Sequence, residues 1–103
     1  MVVVLFEVKL HSNAKSKYLE IAKSLNTELN KQKGFISLER FESIEEESKL
    51  LSLQIWKNEE AIIKWKNNKK HQSVMPLGYN ELFKDYSIKI LAPIRSYTKY
   101  SSQ

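Results

Sequence analysis

Four segments of the chain have the pattern of half-buried β-strands, with apolar and polar residues in alternation; in the first segment three β-branched valines precede the alternation, which begins at Leu5. They are Val2–Leu10, Phe35–Ser43, Lys49–Trp56 and Lys84–Ile94. The acidic, turn-like stretch Glu42–Ser48 connects the second and third segments, so we expect these two to form a hairpin. Pro93 in the fourth segment is typical of a bulge or of an edge strand.

Strict alternation assigns neighbouring residues of a strand to opposite faces of the sheet. In the second segment, one face is predicted to carry Phe35, Ser37, Glu39 and Phe41, and the other Ile36, Leu38 and Arg40. In the third segment, the two faces are predicted to carry Leu51, Leu53 and Ile55, and Leu50, Ser52, Gln54 and Trp56.

The segment between the first two strands has the period of an α-helix. We expect it to begin after a cap at Ser12 or Asn13 and to run to about Lys33. Gly34 then ends it, because a residue with positive φ is common just past a helix. Its apolar positions form a single stripe of Tyr18, Ile21, Ala22, Leu25 and Leu29.

A second helix is predicted after the third strand. Asn58 caps it, and two glutamates follow in the first turn, where the helix dipole favours negative charge. Its apolar stripe is Ala61, Ile62 and Trp65. We expect the same helix to reach His71, because basic side chains suit its negative C-terminal pole. Pro76 and Gly78 break the chain after it, and Tyr79–Phe83 is predicted to form a short helical turn.

The order strand–helix–strand–strand–helix–strand is the ferredoxin-like βαββαβ arrangement, an α+β fold. It places both helices on one face of a four-stranded antiparallel sheet. Several side chains of the other face are large and apolar, so we expect a homodimer formed through that sheet face. Residues 1–95 are predicted to form the domain, and residues 96–103 a polar C-terminal tail.

The amino-acid composition argues against several kinds of structural and binding site. The 103 residues include no Cys, two His and two Gly. A disulfide scaffold, a cysteine or histidine-rich metal site and a glycine-rich phosphate loop are therefore not expected. The apolar run at the N-terminus is interrupted by Glu7, too early for a signal peptide or a membrane helix. We expect a soluble, cytoplasmic protein with no membrane partner.

The formal net charge of +5 comes from lysines, several of which lie around the second predicted helix. A nucleic-acid surface would also need exposed aromatic residues or arginines for stacking and bidentate contacts. Arg40 and Arg95 are the two arginines of the sequence, and the aromatic residues have core positions. We therefore expect no nucleic-acid partner, although the lysines could attract an anionic substrate.

Several short motifs resemble those of the antibiotic biosynthesis monooxygenase (ABM) domain family. They are Gly34-Phe35, Trp56 at a strand end, Asn58-Glu59-Glu60-Ala61, Trp65-Lys66-Asn67-Asn68, His71 and Phe83-Lys84-Asp85-Tyr86. The resemblance implies a dimeric α+β barrel with a pocket between the helices and the sheet of each subunit. Characterised members include cofactor-independent monooxygenases of aromatic molecules, quinol monooxygenases and haem-degrading enzymes.

The resemblance leads us to expect a cofactor-independent monooxygenase that oxidises a small phenol- or quinol-like molecule with O₂. The alternative is a non-catalytic dimeric module that binds a small ligand or acts in a stress response. A haem-degrading role is disfavoured, because such relatives carry an Asn in the first strand where this chain has Leu5-Phe6-Glu7. Their Trp-to-His interval is also longer than the one from Trp65 to His71.

His71 is the predicted catalytic residue, because imidazole can accept a phenolic proton near neutral pH. Trp65, Asn68, Tyr86, Trp56 and Phe6 are predicted to bind the substrate. The alternatives are structural: a helix-end histidine, core tryptophans, a solvated asparagine and a half-buried tyrosine. On one continuous helix, Trp65 and His71 would point about 120° apart, so we expect no close contact between them.

Overall fold

The computed structural model describes residues 1–101. The strands are β1 (Val2–Leu10), β2 (Phe35–Glu42), β3 (Lys49–Trp56) and β4 (Phe83–Leu91). The helices are α1 (Lys15–Ser24), α2 (Asn26–Asn30), α3 (Glu59–Lys66) and α4 (Lys69–Leu77), and α4 leads into a π-helix (Gly78–Leu82). Four strands and the two helical segments therefore follow the predicted order.

The sheet has the strand order β2-β3-β1-β4, and every neighbouring pair is antiparallel. This is the ferredoxin-like α+β arrangement that the sequence predicted. Strand β4 is an edge strand and ends at Leu91, three positions before the predicted Ile94. Residues 102 and 103 of the predicted tail lie outside the described residues.

The first helical segment is interrupted and shorter than predicted. Leu25 separates α1 from α2, and α2 ends at Asn30. The predicted side-chain cap at Ser12 or Asn13 is also wrong: Ala14 precedes α1, without a side-chain cap bond. The apolar stripe is confirmed, because its five members are buried or half-buried.

A β-bulge changes the face of one aromatic residue. The register between β2 and β3 shifts between Phe35 and Ser37, so Phe35 lies opposite Trp56. Their rings meet edge to face with centroids 5.3 Å apart. The strict alternation was therefore wrong at this point: Phe35 packs against the core, whereas Ile36 is 57% exposed. From Leu38 onward the alternation holds.

The core consists of two separate clusters on the helix-facing side of the sheet. The first cluster comprises Val8, Leu10, Ala14, Tyr18, Leu50 and Leu82. The second cluster comprises Val4, Leu29, Trp56, Ala61 and Trp65. Gly34 closes the chain against the second cluster with φ of +92°, and a Cβ there would lie 2.7 Å from the Ala61 Cβ. A side chain at position 34 is thus excluded by conformation and by space.

The opposite face of the sheet, which we call the outer face, also carries apolar side chains. Its half-buried or exposed apolar members are Val3, Leu5, Phe41, Leu51, Leu53, Ile55 and Leu91. Phe41 and Leu91 are each 43% exposed.

Across residues 1–101, no helix is long and apolar enough to cross a membrane. Nor do three or more acidic or imidazole side chains converge in this part of the chain as potential metal ligands.

Candidate functional site

A cavity of about 310 Å³ lies between the sheet and the helices. Two rows of residues, each running across all four strands, form what we call the cavity floor. The first row is Arg40, Ser52, Phe6 and Ile88, and the second row is Leu38, Gln54, Val4 and Ile90. The volume is at the lower end of the range for small-molecule sites.

The helical layer covers the floor with mostly apolar side chains. The lining residues from α1 and α2 are Tyr18, Ile21, Ala22, Leu25 and Leu29. Those from α3, α4 and the π-helix include Ile62, Trp65, His71, Val74, Met75 and Tyr79. Ile88 and Ile90 on β4 are 50% and 47% exposed, so the cavity is open along this edge of the sheet.

The break between α3 and α4 determines where His71 lies. Helix α3 ends at Lys66, and Asn68 has an extended conformation with ψ of 132°. The Asn68 Oδ1 accepts a hydrogen bond of 3.0 Å from the backbone N–H of His71, which is an N-cap interaction. The prediction that one helix reaches His71 at its C-terminal pole is therefore wrong. His71 occupies the first turn of a new helix.

The change of direction at Asn68 brings two predicted site residues together. The ring centroids of Trp65 and His71 are 4.8 Å apart, and the planes are inclined by 40°. The predicted separation on a continuous helix was wrong, because the chain leaves the helix between the two residues. Trp65 is buried in the second cluster, so it offers a fixed surface on which the imidazole rests.

Burial controls the protonation of His71. Loss of solvation lowers the pKa of His71 below its ordinary value, because burial disfavours the charged imidazolium. A hydrogen bond between the imidazole and the backbone of Lys66 raises the pKa by less. The Nδ1 atom is buried and has no hydrogen-bond partner within residues 1–101. Burial thus favours the neutral imidazole, and Nδ1 is a buried nitrogen without a partner in the described residues.

The β2 end of the cavity floor is polar. Burial raises the pKa of the Tyr18 hydroxyl, and the charge of Arg40 and a hydrogen bond with it offset part of that rise. The Arg40 Nε is buried without a hydrogen-bond partner in the described part of the chain. Ser52, next to Arg40 in the register, is 4% exposed.

Aromatic rings occupy the other end of the floor. Phe6 lies 5.7 Å from Phe83, and Tyr18 and Tyr79 contact the same Phe83 ring edge to face at 5.8 Å and 5.7 Å. Tyr79 also lies against Tyr86, with centroids 5.0 Å apart. Burial, followed by the charge of Tyr86 and a hydrogen bond with it, raises the pKa of Tyr79.

The six predicted site residues thus fall into two groups. His71, Trp65 and Phe6 line the cavity, whereas Trp56, Asn68 and Tyr86 do not. Trp56 is fully buried, and its Nε1–H donates to the Gln54 Oε1 at 2.8 Å. Asn68 caps α4, and Tyr86 is 46% exposed beside Tyr79.

The polar residues of the cavity, Arg40 and Tyr18 above all, were not predicted as site residues from the sequence. Tyr18 was assigned to the apolar stripe of the first helix, and Arg40 was considered only as a nucleic-acid contact. The available indication was the position of Arg40 on the strand face of Leu38, because an arginine on an apolar face needs a partner.

The chain resembles known proteins of one family in sequence. A family model described as antibiotic biosynthesis monooxygenase matches residues 1–77. Jasmonate monooxygenase ABM of Pyricularia oryzae is 31% identical over 90 residues, which are 87% of this chain and 42% of that protein. The chain therefore spans less than half the length of this curated relative.

Solved structures share the fold at lower identity. A conserved protein of Methanosarcina mazei Go1 is 22% identical, with a TM-score of 0.79 over 87% of this chain and 89% of that chain. A protein of Mycobacterium tuberculosis is 15% identical, with a TM-score of 0.81 over 94% of this chain and 98% of that chain. An antibiotic biosynthesis monooxygenase is 12% identical, with a TM-score of 0.80 over 92% and 100%.

Proposed function

The chain belongs to the antibiotic biosynthesis monooxygenase family, and we propose that it is a monooxygenase that oxidises a small phenol- or quinol-like molecule with O₂. One observation carries the proposal: an imidazole whose pKa is lowered by burial rests on Trp65 and lines an apolar, aromatic cavity. The cavity volume of about 310 Å³ fits a molecule of this size.

In the proposed reaction His71 is the general base. Its imidazole accepts the proton of a substrate hydroxyl, which leaves an electron-rich phenolate. The lowered pKa keeps the imidazole in the accepting form at pH 7. Phe6 and Trp65 contact the faces of the substrate ring and exclude water from it.

The substrate itself supplies the electrons, so the reaction needs no cofactor. The phenolate reduces O₂, and one oxygen atom forms a carbonyl at a ring C–H ortho or para to the phenolic oxygen, so that the ring becomes a quinone. The other oxygen atom leaves as water with the ring hydrogen and the phenolic hydrogen. The role of the protein is to form the anion, orient it and keep the site dry.

Oxygen uptake tests the proposal. A panel of quinols and phenols is used, with jasmonate added because the curated relative is named for it. We expect uptake with at least one member, reduced about 100-fold or more in His71→Gln, since a general base contributes that much. His11→Gln is the matched control, because His11 is exposed and outside the cavity.

The same assay gives the expected pH dependence. His71 acts when neutral, so the rate rises with pH through its lowered pKa, below about 6.5, and is constant above it. Equal rates in His71→Gln and the wild type would contradict the assigned base. Binding of panel members without any oxygen uptake would favour the non-catalytic ligand-binding alternative.

We also propose that two copies pair through the outer face of the sheet. The half-buried apolar side chains of that face, Leu5 and Leu53 among them, support this, because a second sheet would remove them from water. Light scattering after size-exclusion chromatography at micromolar concentration tests it. We expect twice the 12.1 kDa mass of the chain, and a monomer would contradict the pairing.

A further inference from the structure

The cavity floor has one polar end and one apolar end. On β2 and β3 the floor carries the guanidinium of Arg40, the hydroxyl of Ser52 and the amide of Gln54, with Leu38 as the one apolar side chain. On β1 and β4 it carries apolar side chains alone, and the last of these, Ile88 and Ile90, are half exposed at the open edge. A ligand that fills the floor therefore meets a positive charge at one end and apolar surface at the other.

The charge of Arg40 has no acidic partner in the cavity. None of the residues that line the cavity is Asp or Glu. Glu39 lies on the other face of β2. Glu42 shares the face of Arg40 two positions further along, but it forms an ion pair with Lys15. A guanidinium whose Nε is buried and unbonded is costly without a counter-charge.

Tyr18 adds a second donor at the same place. Tyr18 lines the same cavity, and the charge of Arg40 acts on its hydroxyl, although burial is the larger influence and raises its pKa. Tyr18 therefore keeps its proton at neutral pH and can donate it to an anion beside Arg40. Two neighbouring donors, one of them permanently charged, match the two oxygens of a carboxylate.

We propose that Arg40, with Tyr18, binds a carboxylate of the substrate, so that the phenol- or quinol-like substrate also carries a carboxylate on an otherwise apolar body. This rests on the proposed function only in that it names the substrate class for the same cavity. A phenol alone would be neutral when it binds, because its pKa is about 10, and would leave the arginine unpaired. The apolar body of the acid lies along Phe6, Ile88 and Ile90.

Equilibrium binding of a matched ligand pair tests the proposal. Isothermal titration calorimetry at pH 7.5 compares 2-naphthoate with 2-naphthamide, which share one ring system and differ in charge. We expect the wild type to prefer the acid about 10-fold or more, the effect of a hydrogen bond to a charged group. In Arg40→Met the preference is lost while the affinity for the amide stays the same.

Two further variants keep the test independent of folding defects. Arg40→Lys retains the charge, so part of the preference for the acid remains. Arg95→Met removes the other arginine, which is exposed and outside the cavity, and the full preference remains. Circular dichroism spectra and melting curves establish that each variant is folded before titration.

The outcomes separate this proposal from the proposed function. A wild type that binds acid and amide equally overturns the role of Arg40, even if quinols drive oxygen uptake. A folded Arg40→Met variant that keeps the acid preference also overturns it. A preference for the acid that depends on Arg40, without oxygen uptake on any substrate, supports the carboxylate site and rejects the monooxygenase.

Discussion

The two helical segments are each interrupted once, and the two interruptions differ in kind. Leu25, between α1 and α2, keeps helical dihedral angles, with φ of −88° and ψ of −9°. Asn68, between α3 and α4, has an extended ψ of 132° and caps the following helix with its side chain. After the first break, α2 continues the apolar stripe of α1. After the second break, the chain changes direction before α4 begins.

The two breaks differ in where they place the side chains that follow them. Leu29, after the first break, packs in the second cluster as a continuous helical stripe would require. His71, after the second break, comes to lie on Trp65, which a continuous helix would not allow. The comparison teaches that a helix break matters to the site when an extended residue changes the direction of the chain.

Among changes around the two breaks, the largest expected effect comes from removing the surface on which His71 rests. Trp65→Ala should destabilise the fold by about 3–5 kcal/mol, the usual cost of a buried tryptophan. Trp56→Ala is the matched change, because Trp56 is buried in the same cluster but does not line the cavity. We expect a similar loss of stability in urea unfolding for both variants.

The two tryptophan variants are expected to differ in turnover. Oxygen uptake per folded molecule, measured at low temperature, should fall at least 10-fold in Trp65→Ala and change little in Trp56→Ala. If both variants lose turnover equally, the contact between Trp65 and His71 has no particular role. In that case the second break would matter no more to the site than the first.

A smaller effect is expected from the cap itself. Asn68→Ala removes the acceptor for the His71 backbone N–H and should cost about 1 kcal/mol of stability in thermal or urea unfolding. Oxygen uptake should fall as well, because the first turn of α4 positions the imidazole. Asn68→Ser retains a capping oxygen and should restore most of both quantities.

Asn26→Ala is the control at the other break. Asn26 begins α2, where no side-chain cap bond is present. We expect little change in stability and none in the pH profile of turnover. An Asn26→Ala variant as impaired as Asn68→Ala would show that the two breaks are equivalent.

Most of the fold could be predicted from the sequence because its elements follow simple periods. The cap at Asn58 was predicted and is confirmed, with its Oδ1 accepting from the Ala61 N–H at 2.9 Å. Asn68 does the same for α4, but two lysines follow it, and positive charge is unfavourable at a helix N-terminus. No Gly or Pro lies between Glu59 and His71 to mark a helix end, so the local sequence concealed the second break.

The rest depended on contacts between distant parts of the chain. An alternating pattern cannot indicate an inserted residue, so the bulge that turns Phe35 toward Trp56 was not visible. Tyr18 lies on helix α1 and Arg40 on edge strand β2, so they interact across the fold. The local sequence around either residue gives no indication of the other. Only His71, Trp65 and Phe6 among the predicted site residues line the cavity.

Within the cavity floor, three residues on the edge strands line the cavity without belonging to the core. Each row ends on an edge strand, and Arg40, Ile88 and Ile90 belong to neither core cluster. Substitutions at these three positions therefore create few voids in the core. We therefore expect that these three side chains, and with them the chemistry of the cavity floor, can be exchanged while the scaffold stays intact.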